Sequence, residues 1–128
     1  MQPVSVLLID SNPVFLRIAV GLLQDYYYNE LVILGTSNGG EDALTQARTL
    51  QPDVLLLGTG LNSMRCLQII PQVRAALPQV KIIVLGFLEA KGYRQVAIAA
   101  GADEFVLKIA INIELLATIR RVRCSMER

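Results

Sequence analysis

Two charged residues close apolar stretches that read as buried strands: Asp10 follows Val4 to Ile9, and Lys108 follows Glu104 to Leu107. A carboxylate or an ammonium at the end of a buried strand is poorly solvated and needs a partner. With Asp10 taken to end a neighbouring central strand, the two are expected to form a direct ion pair. Ser11 adds a hydroxyl beside Asp10. Gly58 and Gly86 close two further apolar stretches and bring no side chain. One carboxylate, one hydroxyl, one amine and two bare backbones can neutralise themselves or hold an anionic ligand. Other chemistries fail on residue type. The chain has no histidine, so His metal sites, His bases and phosphohistidine are excluded. Cys66 and Cys124 are too few and too far apart for a zinc site, and a reduced pair is expected. Asp10-Ser11-Asn12-Pro13 stands where a glycine-rich phosphate loop would follow the first strand. Asn38-Gly39-Gly40 reads as a turn. No enzyme activity is expected.

The elements that position these residues follow from hydrophobic spacing. Strand-like and helix-like stretches alternate five times, the pattern of a parallel sheet wrapped by helices. After the first strand, Pro13 suits the first turn of a helix with Ser11 or Asn12 as its cap. That helix carries Val14, Ile18, Leu22 and Leu23 at helical spacing and fades near Tyr26-Tyr27-Tyr28. Leu31 to Leu34 is a second strand. Ala43, Leu44, Ala47 and Leu50 line a second helix, and Val54 to Leu57 is a third strand. Leu67, Ile70, Val73, Arg74 and Leu77 mark a third helix. Pro71 inside that pattern predicts a kink or a later start. Lys81 to Leu85 is the fourth strand. Ala90 to Ala100 is a fourth helix stopped by Gly101. Glu104 to Leu107 is the fifth strand, and a last helix from about Asn112 to Val122 turns Leu115, Leu116, Ile119 and Val122 inward. Working residues of such sheets lie beyond the carboxyl ends of the strands. Those positions here are Asp10, Ser11, Gly58, Gly86 and Lys108.

The chain's 128 residues make one domain, 1–128, with 53% hydrophobic content suited to strands buried on both faces. A net charge of +1 gives no basic stripe of the kind nucleic acid requires. Arg120, Arg121 and Arg123 read as a solvated last helical turn. No apolar run is long enough for a membrane span, and no signal peptide is visible. A cytoplasmic location is expected, with no membrane and no direct nucleic-acid contact.

Four segments carry a resemblance: Val6-Leu7-Leu8-Ile9-Asp10-Ser11-Asn12-Pro13, Pro52-Asp53-Val54-Leu55-Leu56-Leu57, Ile82-Ile83-Val84-Leu85 and Gly101-Ala102-Asp103-Glu104-Phe105-Val106-Leu107-Lys108. In this order and spacing the chain resembles the receiver domain of response regulators, most of all those of the LuxR and NarL type, over residues 4 to 122. The resemblance implies a flavodoxin-like (CheY-like) fold: a doubly wound parallel sheet of five strands in order 2-1-3-4-5 with five helices. It implies a role in two-component signal transduction or transcription regulation, with a DNA-binding output domain following in longer members.

The departures are chemical. Where the family holds Mg²⁺ with two acidic residues, this chain has Asp10 and Ser11. The phosphoacceptor aspartate is replaced by Gly58. The Thr or Ser that bonds the phosphoryl group is replaced by Gly86. Leu61-Asn62-Ser63 stands where Met-Pro-Gly is usual. Asp10, Lys108 and the switch aromatic Phe105 are kept. A typical receiver pocket holds three carboxylates and one lysine; this one would hold one of each and be neutral. Mg²⁺ dehydrates reluctantly and needs carboxylates, so neither Mg²⁺ nor phosphorylation is expected. Asp53 and Asp103 are placed too far away to substitute as acceptors.

Around this pocket the loops carry apolar residues: Leu61, Phe87, Leu88, Ile109, Ile111 and Ile113. They either collapse into the vacated space or remain as a patch for a partner. The face of the fourth helix, fifth strand and fifth helix would carry Lys91, Tyr93, Arg94, Gln95, Asp103, Glu104, Arg120 and Arg121. Their mixed charges suit a two-fold contact or a plain solvated surface. Tyr26 to Tyr28 are another possible contact. The leading expectation is a receiver independent of phosphorylation that acts through a protein partner or a homodimer. The alternative is a small-molecule sensor using the emptied pocket.

Overall fold

Apolar runs of four to seven residues, too short for helices and rich in Val, Ile and Leu, pair into a five-stranded parallel sheet. A computed structural model of the chain describes residues 3–27, 29–39, 42–59, 63–86 and 92–126. In chain order the elements are β1 (Val4–Ile9), α1 (Pro13–Tyr27), β2 (Leu31–Ser37), α2 (Asp42–Leu50), β3 (Val54–Gly58) and α3 (Ser63–Ala76). They continue with β4 (Lys81–Gly86), α4 (Tyr93–Ala100), β5 (Glu104–Leu107), a 3-10 turn (Lys108–Ala110) and α5 (Ile111–Met126). The strand order is β2-β1-β3-β4-β5, as expected. The register sets Ile9 opposite Leu57, Gly58 opposite Leu85 and Gly86 opposite Leu107. The carboxyl ends of four strands therefore finish level, and Asp10, Gly58, Gly86 and Lys108 gather on one edge.

Alternate strand residues feed two cores. Val6, Leu8, Leu56, Leu85 and Val106 pack against α1 and α5. Leu7, Ile9, Leu55, Leu57 and Val84 pack against α2, α3 and α4. The first helix turns a different face inward from the one its spacing suggests. Ala19 and Leu23 are buried, while Val14 and Ile18 are 58% and 61% exposed. The small Ala19 lets the helix approach the sheet, and Phe15, Leu16, Val20 and Leu22 flank it. The third helix starts at Ser63 and continues through Pro71 to Ala76. Of the two candidate caps of α1, Asn12 is the one used: its Oδ1 accepts the N–H groups of Val14 and Phe15 at 3.0 and 3.2 Å. Gly101 ends α4 at φ +128°, a conformation that favours glycine.

At the opposite edge Arg74 ties α3 to the sheet. Its guanidinium donates to the carbonyls of Gly101, Pro78 and Val80 and to Asp103 Oδ2 at 2.7 Å. Asp103 Oδ2 also accepts the Ile82 N–H at 2.8 Å. Asp53 Oδ2 accepts the Ser5 N–H at 3.0 Å, joining β1 to the start of β3. Both carboxylates belong to the amino edge, remote from Asp10. No helix among the described residues is long and apolar enough to cross a membrane.

Candidate functional site

Asp10 is fully buried, and both of its oxygens are bonded. Oδ1 accepts the Asn12 N–H at 2.8 Å, and Oδ2 accepts Lys108 Nζ at 2.6 Å. The lysine side chain is 7% exposed. Its ammonium also lies 4.0 Å from the centroid of the Phe15 ring, a cation–π contact in a desolvated setting. The expected ion pair is present, but its strands are not neighbours: β3 and β4 lie between β1 and β5. Lys108 spans the gap because Asp10 leans over Gly58. A Cβ built on Gly58 would collide with Asp10 Oδ2 and lie 2.6 Å from its Cγ. The carboxylate of Asp10 thus occupies the space that a side chain at position 58 would need.

The same substitution of volume occurs at Gly86. A Cβ there would meet the Phe105 ring, at 2.7 Å from Cε2. The ring is buried and packed from two sides. The Arg94 guanidinium carbon stands 4.9 Å from its centroid, and the Tyr93 ring meets it edge-on at 5.9 Å. Arg94 Nη1 donates to the Phe105 carbonyl at 3.2 Å. Tyr93 shares a side-chain hydrogen bond with Cys66, and burial pushes the thiol up to about 11 against the pull of that bond. Burial also raises the Tyr93 hydroxyl, with Cys66 adding to the effect. Neither group is ionised near neutrality, so Cys66 is a packing residue and not a nucleophile.

Beside this filled pocket, toward α3, runs a cleft of about 550 Å³. Its lining includes Asp10, Ser11, Asn38, Arg65, Gln68 and Gln72.

The apolar rim divides. Ile111 is buried in the core under α1 and α5, whereas Ile109 and Ile113 are 82% and 76% exposed. Among the described residues, Asp10 and Phe105 lie where side chains at Gly58 and Gly86 would be. Leu61, Phe87 and Leu88 lie outside the described residues, as do Lys91, Tyr28 and the side chains of Tyr26 and Tyr27. Several charges assigned to the α4–β5–α5 face are engaged within the chain. Asp103 is held by Arg74, Arg121 pairs with Glu104 at 3.0 Å, and Arg120 pairs with Glu30 at 2.6 Å. Arg120 therefore looks toward the α1 side of the molecule. Phe15, Tyr93 and Arg94 are the site neighbours that spacing does not reveal. An aromatic in the first turn of α1 is the sole signal for the first, and the sequence places the other two only on the face of the fourth helix, fifth strand and fifth helix.

A parallel sheet in order 2-1-3-4-5, with an Asp–Lys pair over its carboxyl edge, defines a CheY-like receiver architecture. The profile of the "Response regulator receiver domain" family matches residues 6–120, and the chain belongs to that family. It is 30% identical over 127 residues to the probable transcriptional regulatory protein TcrX of Mycobacterium tuberculosis, covering 99% of this chain and 51% of that protein. It is 29% identical over 94 residues to the response regulator protein VraR of Staphylococcus epidermidis, covering 72% of this chain and 44% of the relative. The chain thus spans about half the length of these curated relatives. The signal receiver domain of the putative response regulator NarL from Mycobacterium tuberculosis superposes with a TM-score of 0.82 at 24% identity, covering 100% of both chains. A LuxR-family two-component response regulator from Aurantimonas sp. SI85-9A1 gives a TM-score of 0.86 at 16% identity over 97% of this chain and 87% of that one. These two likenesses concern the fold alone.

Proposed function

We propose that this receiver domain works in signal transduction or transcription regulation without phosphoryl transfer at the usual position, through contacts with a protein partner or a second copy. The observation that carries the reading is the Asp10 carboxylate lying where a side chain at Gly58 would be, bonded to Lys108. A phosphoryl group needs a nucleophile, a metal and space. Gly58 supplies no nucleophile. The donor set of the described residues does not fit Mg²⁺ either: among them Asp10 is the one carboxylate at the pocket, and Lys108 already pairs with it. Phe105 takes up the remaining volume at Gly86. The pair serves as a structural plug, and output depends on which surfaces the fold presents. On this reading the domain itself makes no contact with DNA.

Amide spectra recorded with Mg²⁺ and beryllofluoride, a phosphoryl mimic, test the reading. The expected result is no shift at Asp10, Gly58, Thr59 or Lys108. Saturable shifts at those positions would contradict it.

The α3-side cleft favours a second reading, capture of a small polar molecule by Arg65, Asn38 and the glutamines. The vacated pocket itself does not serve for this, since both glycine positions are filled. Saturable thermal stabilisation by one metabolite, lost in Gln68→Ala and Gln72→Ala, is the result that this second reading requires.

A further inference from the structure

Of the five asparagines in the chain, Asn38 alone is followed by glycine. The amide carbon of an asparagine side chain is open to attack by the backbone nitrogen of the next residue. That nitrogen must carry a proton to lose, no side chain must crowd it, and the backbone must be held by neither a helix nor a strand ladder. Asn12 fails at the first step, since Pro13 has no N–H. Asn112 lies within α5 and precedes the β-branched Ile113. Asn29 precedes Glu30, and Asn62 precedes Ser63. Asn38 meets every requirement. It follows Ser37, the last residue of β2, and stands before α2 begins at Asp42. It is exposed. Gly39 takes φ +85°, a conformation that favours glycine, so the turn itself keeps a residue without a Cβ beside Asn38. The Gly39 N–H donates to Ser37 Oγ at 3.3 Å, longer than an ordinary N–H···O bond and so a weak hold.

The position gives the reaction a consequence. Asn38 lines the cleft of about 550 Å³ together with Asp10, Ser11 and Arg65. Asp10 is already paired with Lys108. We propose that Asn38 is a site of spontaneous modification, converted without an enzyme to aspartate and isoaspartate. The Gly39 nitrogen loses its proton to hydroxide and bonds to Asn38 Cγ, closing a succinimide ring. The bond from Cγ to Nδ2 breaks, and ammonia leaves with a proton taken from water. Water then opens the ring at either carbonyl. Nothing is oxidised or reduced, and water is the one co-reactant. The product sets a negative charge where the cleft had a neutral amide, which favours cations over anions there. The isoaspartate form also lengthens the main chain by one methylene between β2 and α2. The reaction holds independently of whether a phosphoryl group is accepted at the sheet edge or a ligand enters the cleft.

Intact mass and fragment mapping of the 128-residue chain, held for weeks at physiological temperature and pH, test the site. The expected result is a gain of one mass unit, faster at higher pH, mapped to Asn38 before any other asparagine reacts. The fragment should separate into aspartate and isoaspartate forms, and in heavy-oxygen water it should take up one heavy oxygen. Asn38→Gln should gain nothing over the same period, because its longer side chain must close a larger ring. The parent chain carries the test by itself, so it does not depend on how well that variant folds. No mass gain in the parent, or a first gain at Asn29, Asn62 or Asn112, overturns the proposal and leaves the account of the filled pocket standing. Aspartate at position 38 with no isoaspartate overturns the ring route.

Discussion

At the scale of single residues, two glycines decide the site, because each hands its volume to a neighbour. Asp10 takes the space at Gly58, and Phe105 takes the space at Gly86. Asp10→Ala strands a buried ammonium and should cost roughly 3–5 kcal/mol in denaturant unfolding. Adding Lys108→Met should recover much of that loss, because no uncompensated charge then remains. Gly86→Ser should expel or distort the Phe105 ring. The expected readouts are a lowered midpoint and altered near-ultraviolet dichroism, with strong coupling to Phe105→Leu in a double-mutant cycle. Independent, additive effects of those two changes would contradict the close packing. Gly58→Asp alone should accept no phosphoryl group, since Asp10 stands in the way and Ser11 and Gly86 still lack the family's functional groups. The ion pair was legible in the sequence because two charges closing buried strands need each other. What filled the glycine positions was not legible: the rotamers of Asp10 and Phe105 answer to neighbours that only the fold supplies.

Elements explain which sequence signals succeed. Strands buried on both faces are short apolar runs bounded by turns, so β1, β3 and β4 stand out, and their level carboxyl ends place the site. The first helix is harder to orient because nearly every turn holds two or three apolar residues. Val14-Phe15-Leu16 and Ile18-Ala19-Val20 leave several faces equally apolar. Close approach to the sheet selects the face with Ala19, and Val14 and Ile18 stay outside. The start of α1 is set more sharply. Asn12 caps it while Pro13 occupies the first turn, and Asn12→Ala should cost about 1 kcal/mol in thermal unfolding. The same change loosens the turn in which Asp10 accepts the Asn12 N–H, so the Lys108 contact should weaken with it. Rim residues resisted prediction for a related reason. Ile111 belongs to α5's inward stripe, whereas Ile109, in the 3-10 turn, and Ile113, on α5, are exposed, though all three alternate identically in the sequence.

For the whole molecule, stability should fall in alkali. Cys66 is raised from an ordinary 9.0 to about 11 by burial. The folded chain holds that proton where the unfolded chain has released it. The contribution is therefore intact below about pH 9 and is lost as pH rises toward about 11. The loss amounts to up to about 2–3 kcal/mol, at 1.36 kcal/mol per pKa unit. Cys66→Ala should flatten the decline over that window; an unchanged slope would contradict the buried, protonated thiol. In the native chain a thiol reagent should modify exposed Cys124 and spare Cys66. These properties describe a receiver domain in which the Asp10–Lys108 pair and the Phe105 ring are packed at the carboxyl edge of the sheet. The most direct measurement is the intact mass of the chain after incubation with Mg²⁺ and acetyl phosphate. No gain is predicted, and Gly58→Asp should behave alike. A gain of one phosphoryl group on the parent chain, mapped to Asp10 or any other residue of the pocket, would contradict the claim that an internal ion pair has replaced the chemistry.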